Sequence, residues 1–122
     1  MADGPVAEGE LEAEDEKLVV LARAARARTG AAEGAAVRDT DGRTYAASTV
    51  DLPSFGISAL QAAVAAAVSS GAESLEAAAV VTEDALVTGA SVQAVRDLAP
   101  SVRIFRADPS GSVREVLREV RP

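Results

Sequence analysis

The chain has 122 residues, 48% of them hydrophobic, with no cysteine, no histidine and a net charge of −7. That is enough length for one domain with a real core, and it excludes disulfides and the thiolate or imidazole ligands that structural zinc sites use. Asp3, Glu8, Glu10, Glu12, Glu14, Asp15 and Glu16 account for seven of the 19 acids, which leaves 12 acids against 12 bases from Lys17 onward. No basic face remains to pair with phosphates, so nucleic acid is not expected as a partner.

The acidic head, with Gly4, Pro5 and Gly9, reads as a disordered tail over 1–16, solubilising or docking in role, ahead of a single domain over 17–122. No basic segment precedes an apolar run, so no signal peptide is expected. No stretch is apolar for long enough to span a bilayer, and a cytoplasmic location without membrane contact follows. The apolar residues are mostly Ala and Val, and Tyr45, Phe55 and Phe105 are the aromatic residues. Side chains this small bury little area each, so close backbone packing and help from a subunit interface are expected.

In chain order, the pattern predicts a helix over 11–28 with Leu18, Leu21, Ala22 and Ala25 on one face, then a break over 29–34. A hairpin follows, with strands over 35–38 and 43–49 around the Asp41-Gly42 turn. Pro53 and Gly56 close the second strand. Ser58 is positioned to cap a helix over 57–70 that stops at Gly71. The apolar run 77–81 suggests a buried parallel strand. A helix from Ala90 or Ser91 to Leu98, a strand over 101–107 and a final amphipathic helix over 112–120 capped by Ser112 complete the order. The result is one α/β domain whose sheet is antiparallel at the hairpin and parallel afterwards.

Five stretches resemble the cytidine deaminase family, over about Leu18 to Pro109. "LARAARAR" (21–28) is similar to its first helix, and "GAAVRDTDGRTYAA" (34–47) to its glycine-alanine strand and D-G turn. "TVDLPSFG" (49–56) stands where the family has N-V-E-N-A-S-Y-G. "ISALQAAVAAAVSSG" (57–71) stands where it has the helix that begins with C-A-E, and "VTGASVQAV" (87–95) where it has P-C-G-A-C-R-Q. Gly89, Ala90 and Gln93 match that last motif directly. The resemblance implies a three-layer α/β/α fold with a mixed sheet, and assembly as a homo-oligomer, a tetramer or a dimer.

It also implies that the chemistry has been lost. The family's three zinc ligands fall at Leu60, Thr88 and Ser91, and its general acid/base Glu falls at Ala62. Its ribose-holding Asn and Glu fall at Thr49 and Asp51. A leucine donates nothing to a metal and neutral hydroxyls are poor zinc ligands. No catalytic residue, metal or other cofactor is therefore expected. Thr88 and Ser91 also read as turn and helix-cap residues, Leu60 as a core residue in the place of a metal, and Asp51 as either a turn cap or a sugar contact. Between Ile57 and Gly71 no residue is charged, which suits a helix covered by another subunit. The reading favours a non-catalytic protein acting through binding or oligomeric assembly. The alternative is a nucleoside- or nucleobase-binding protein, or a hydrolase with altered, metal-independent chemistry, with Asp51, Glu83 and Asp84 as its nearest carboxylates. A nucleoside ligand, if retained, would be weak.

Overall fold

A computed structural model describes residues 11–118 of the chain. Helix α1 (Ala13–Thr29) has Glu14, Asp15 and Glu16 in its first turn and Arg26 and Arg28 in its last, so side-chain charge opposes the helix dipole at both ends. It stops at Gly30, whose φ of 68° lets its N–H return to the Arg26 carbonyl. Strands β1 (Gly34–Asp39) and β2 (Thr44–Ser48) form the expected hairpin, with Ala36 opposite Ala46 and Val37 opposite Tyr45. A second, small hairpin follows, β3 (Val50–Leu52) with β4 (Phe55–Ile57). Next come α2 (Ala59–Ser69), β5 (Leu75–Val81), α3 (Gly89–Leu98), β6 (Ile104–Ala107) and β7 (Val113–Leu117).

The main sheet has five strands in the order β2-β1-β5-β6-β7. Its side chains alternate between two cores. Ala36, Ala77, Ala79, Val81, Phe105, Ala107 and Val116 pack with Leu18, Val19 and Ala22 of α1. Ala35, Val37, Ala78, Val80 and Ile104 pack with Leu60, Ala63 and Val64 of α2 and Val95 of α3. This is the α/β/α layering implied by the resemblance. Close packing replaces bulk, as the Ala-rich composition requires: a Cβ built on Gly34 would lie 2.0 Å from the Ala22 carbonyl oxygen and 2.6 Å from the Arg26 nitrogen, both backbone atoms of α1.

Four expectations are corrected. In place of the helix expected over 112–120, residues 113–117 form a strand, the antiparallel partner of β6. The register shifts between Arg106 and Ala107, so Val113 pairs with Ala107 and Glu115 with Arg106, and Arg114 is the extra residue. That insertion puts Val113 and Val116 on the α1 side together, which copies the three-residue spacing of a helix. The sheet is also less parallel than expected. Strand β5 runs antiparallel to its neighbour β1 and only the β5–β6 pair is parallel, because α2 carries the chain across β1 from β2. Pro53 and Gly56 do not simply end a strand; they belong to the β3–β4 hairpin. Finally, the acidic segment 1–16 is helical from Ala13 onward, with Asp15 buried. The tail assignment for 1–10 lies outside the described residues, as do 119–122. Among the described residues no helix is long and apolar enough to cross a membrane.

Candidate functional site: a hydroxyl chain between two helix starts

Helices α2 and α3 begin beside each other. At the start of α2, Ser58 is the N-cap in a reciprocal capping box: its Oγ accepts from the Gln61 N–H at 3.2 Å, and its own N–H donates to Gln61 Oε1 at 2.9 Å. At the start of α3, Thr88 is the N-cap, and its Oγ1 accepts from the Ser91 N–H at 3.3 Å. The two caps are joined through Ser91. Thr88 Oγ1 donates to Ser91 Oγ at 2.9 Å, and Ser91 Oγ donates to Ser58 Oγ at 2.7 Å. Ser91 is 2% exposed, so its hydroxyl has no recourse to solvent and is satisfied by its neighbours. Neither helix carries an acid in its first turn.

The core that α2 and α3 share is apolar. Leu60 is fully buried in the core shared by Ala63, Val64 and Val95, with Val87 and Val92 partly buried against the same cluster. Ala62 is half-buried, and its N–H closes the first turn of α2 on the Ser58 carbonyl. The structure thus brings together Thr88 and Ser91, and sets Leu60 in the core with the flanking valines of α3. Thr49 is committed elsewhere: its Oγ1 accepts from the Glu33 N–H at 3.1 Å, tying the end of β2 to the loop before β1. Asp51 is exposed on β3, opposite Gly56. Of the other nearby carboxylates, Glu83 pairs with Arg26 at 3.3 Å, and Asp84 is exposed in the loop after β5.

One member of the cluster was not singled out as a site residue from the sequence. Ser58 is legible as a helix cap, but nothing local to it signals a bond to a residue 33 positions away. The signal that could have found it is the pairing of two N-cap hydroxyls at helix starts that the fold makes adjacent.

The donor set can be tested against a metal. Three neutral hydroxyls that already bond one another, beside a buried leucine, do not make a site for Zn²⁺, which takes thiolate, imidazole or carboxylate ligands. Among the described residues no group of three or more Asp, Glu, Cys or His residues is arranged to hold a metal ion.

A family model described as cytidine deaminase-like matches residues 11–111. Among solved structures, cytidine deaminase from Burkholderia pseudomallei is similar at 25% identity and a TM-score of 0.72, over 81% of this chain and 88% of that one. A point mutant of cytidine deaminase from Mycobacterium tuberculosis is similar at 26% identity and a TM-score of 0.65, over 76% of this chain and 85% of that one. Cytidine deaminase from Mycobacterium leprae shares the fold at 22% identity and a TM-score of 0.63, over 85% of this chain and 94% of that one. No curated protein matches the sequence.

Proposed function

The chain belongs to the cytidine deaminase-like family, and on that premise we propose that it keeps the family's fold without zinc-dependent deamination and acts through binding or homo-oligomeric assembly. The observation that carries this reading is the Thr88–Ser91–Ser58 hydroxyl chain, with Leu60 fully buried in the core that α2 and α3 share. In this reading Leu60, Thr88 and Ser91 occupy the positions of the lost ligands, and Ala62 that of the lost proton shuttle. The loss is too large to be made up by small adjustments. Zinc in structural sites contributes on the order of 10–16 kcal/mol of binding free energy. A positioned acid/base group contributes roughly 10²–10⁴-fold in rate. Without a metal, water keeps a pKa of about 16 instead of about 7.

Assembly is supported by α2 itself. Its helix has no charged residue, and it leaves Val68 52% exposed with Ala65 exposed one turn before it. A solvent-facing helix normally carries charge on that side.

The test has a negative and a positive arm. The purified protein should contain no stoichiometric zinc and should form no uridine from cytidine above a heat-treated control. About one zinc per chain together with deamination would overturn the reading. Conversely, the combined variant Leu60→Cys, Ala62→Glu, Thr88→Cys and Ser91→Cys should acquire zinc, read by elemental analysis and by protection of the new thiols. A folded variant that binds none would show that these are not the ligand positions.

A further inference from the structure

The tip of the β1–β2 hairpin holds a bond with chemistry of its own. Asp41 and Gly42 are both exposed to water, and Gly42 takes a φ of 86°. A Cβ built on Gly42 would meet nothing within 4 Å, and glycine has no side chain to shield its nitrogen. Attack of that nitrogen on Asp41 Cγ forms an N–Cγ bond and expels one water, made of the carboxyl hydroxyl and the Gly42 N–H proton. The succinimide ring then takes up one water. Cleavage of the new N–Cγ bond restores aspartate. Cleavage of the bond from the same nitrogen to the Asp41 backbone carbonyl carbon gives isoaspartate, whose chain runs through Cβ and Cγ. Only water is exchanged, and the mass of the protein is unchanged.

The closed turn opposes this reaction at both of its atoms. The Gly42 N–H donates to the Asp39 carbonyl at 2.9 Å. Asp41 Oδ2 is held by Arg43 Nη2 at 2.9 Å, and the Asp41 N–H by Asp39 Oδ1 at 2.9 Å. Asp39 is itself 1% exposed and fixed by the Arg43 N–H and the Tyr45 hydroxyl. Nucleophile and electrophile are thus tied to different groups, and an attack geometry needs both ties released. We propose that Asp41–Gly42 is an isoaspartate-forming site that Asp39 and Arg43 hold latent: the bond isomerises through the opened turn and not through the closed one. The change is one-way for the hairpin. Isoaspartate adds one carbon to the backbone and leaves a free α-carboxylate, which shifts the Arg43 N–H away from the Asp39 oxygen that it meets in the native turn.

Warm incubation of the full-length chain at mildly acidic pH, folded and in urea, tests this. The chain has no asparagine, so every isoaspartate in it arises from an aspartate. A protease that cuts before aspartate but not before isoaspartate reads the product as a Thr40–Asp41 bond left uncut at unchanged mass. Asp3–Gly4, the other Asp-Gly bond of the sequence, reports in the same samples that the chemistry runs in urea. Residue 41 should isomerise at least about tenfold faster in urea than in the folded chain, the scale of one charge-assisted hydrogen bond in an opening equilibrium. Arg43→Gln keeps the main-chain bonds of the turn and frees the Asp41 carboxylate. It should speed isomerisation of the folded chain by about two- to fivefold, as expected for an exposed ion pair, with the circular dichroism spectrum unchanged. Asp39→Asn, which loosens the clamp from its buried side, should act in the same direction. Equal rates for folded and denatured wild type would overturn the proposal. So would either variant isomerising no faster than the wild type while folded.

Discussion

The two faces of the main sheet are fastened by opposite chemistries. On the α1 face the fastening is ionic. Asp15, 1% exposed, holds Arg38 at 3.1 Å and Arg103 at 3.3 Å, and Arg38 also reaches Glu76 at 2.9 Å. Burial works against the Arg38 charge, but hydrogen bonds to Glu76 and Asp15 outweigh it and keep its pKa above the ordinary value. Arg103 lies over the Phe105 ring, 5.2 Å from its centroid. On the α2/α3 face the fastening is a chain of neutral hydroxyls between two helix caps. An ionic cluster is unforgiving, since removing one partner strands a charge where water is scarce. A hydroxyl chain tolerates change better, because its members are neutral and two of the three, Ser58 and Thr88, are also held as helix caps. In the proposed reading, the face that tolerates change is also the one from which zinc-dependent chemistry was lost. That is a physical reason why side chains there could be replaced while the fold stayed.

The comparison can be broken on the α1 side with one methyl group. Gly34→Ala would drive a Cβ into the α1 backbone, and backbone cannot swing aside as a side chain can. Overpacking typically costs about 1–3 kcal/mol, and this contact should exceed that range, at about 4 kcal/mol. A small domain holds only about 5–15 kcal/mol in total. Chemical denaturation should show a severely destabilised or unfolded variant, and a loss below about 1 kcal/mol would contradict the packing described. The next step down sets one fastening against the other. Asp15→Ala leaves Arg38 and Arg103 without their shared carboxylate and should cost about 3 kcal/mol. Ser91→Ala removes one hydroxyl but leaves Ser58 capped by Gln61 and Thr88 still at the start of α3, and should cost about 1 kcal/mol. Equal losses from these two variants would mean that the two faces do not differ in the way argued.

Where local chemistry was strong, the sequence was readable. Asp41-Gly42 between β-prone runs marked the first hairpin, Ser58 was legible as a helix cap, and Thr88 and Ser91 as turn and cap residues ahead of α3. The last segment misled for a specific reason: Val113 and Val116 share a face through a bulge at Arg114, and a bulge cannot be distinguished from a helical turn by apolar spacing alone. The turn before it carried the missing signal. Asp108 Oδ1 accepts from the Ser110 N–H, the Ser110 hydroxyl and the Ser112 N–H, and Gly111 takes a φ of 92°. Asp-Pro-Ser-Gly is a hairpin turn, which calls for a strand after it. The direction of β5 against β1 was not legible because a lone apolar run carries no sense of its neighbour. At the site, the residue types were readable one by one, but the link from Ser91 to Ser58 depends on how two distant helices meet.

The smallest effect concerns a group that belongs to neither fastening, in the β1–β2 hairpin. Asp39 is 1% exposed. Its carboxylate accepts from the Asp41 and Arg43 N–H groups at 2.9 Å each and from the Tyr45 hydroxyl at 2.8 Å. Burial pushes its pKa up, but the Tyr45 hydroxyl, the two N–H groups and the Arg43 charge together hold it below its ordinary value of 3.8. The same bond raises the Tyr45 pKa above 10.0, helped by burial. The signs follow from linkage. The folded state keeps Asp39 ionised more readily than the unfolded chain does, so its contribution is complete above about 3.8 and is lost as pH falls through the lower folded value. Tyr45 is the mirror case: its contribution is complete below about 10 and is lost as pH rises through the higher folded value. Asp39→Asn removes the charge and keeps the shape. The stability gap between wild type and this variant should be flat from about pH 5 to pH 9 and should narrow at both ends. Denaturation midpoints measured across that span check it. A gap that stays constant down to pH 2 would show that the hairpin carboxylate does not depend on its charge.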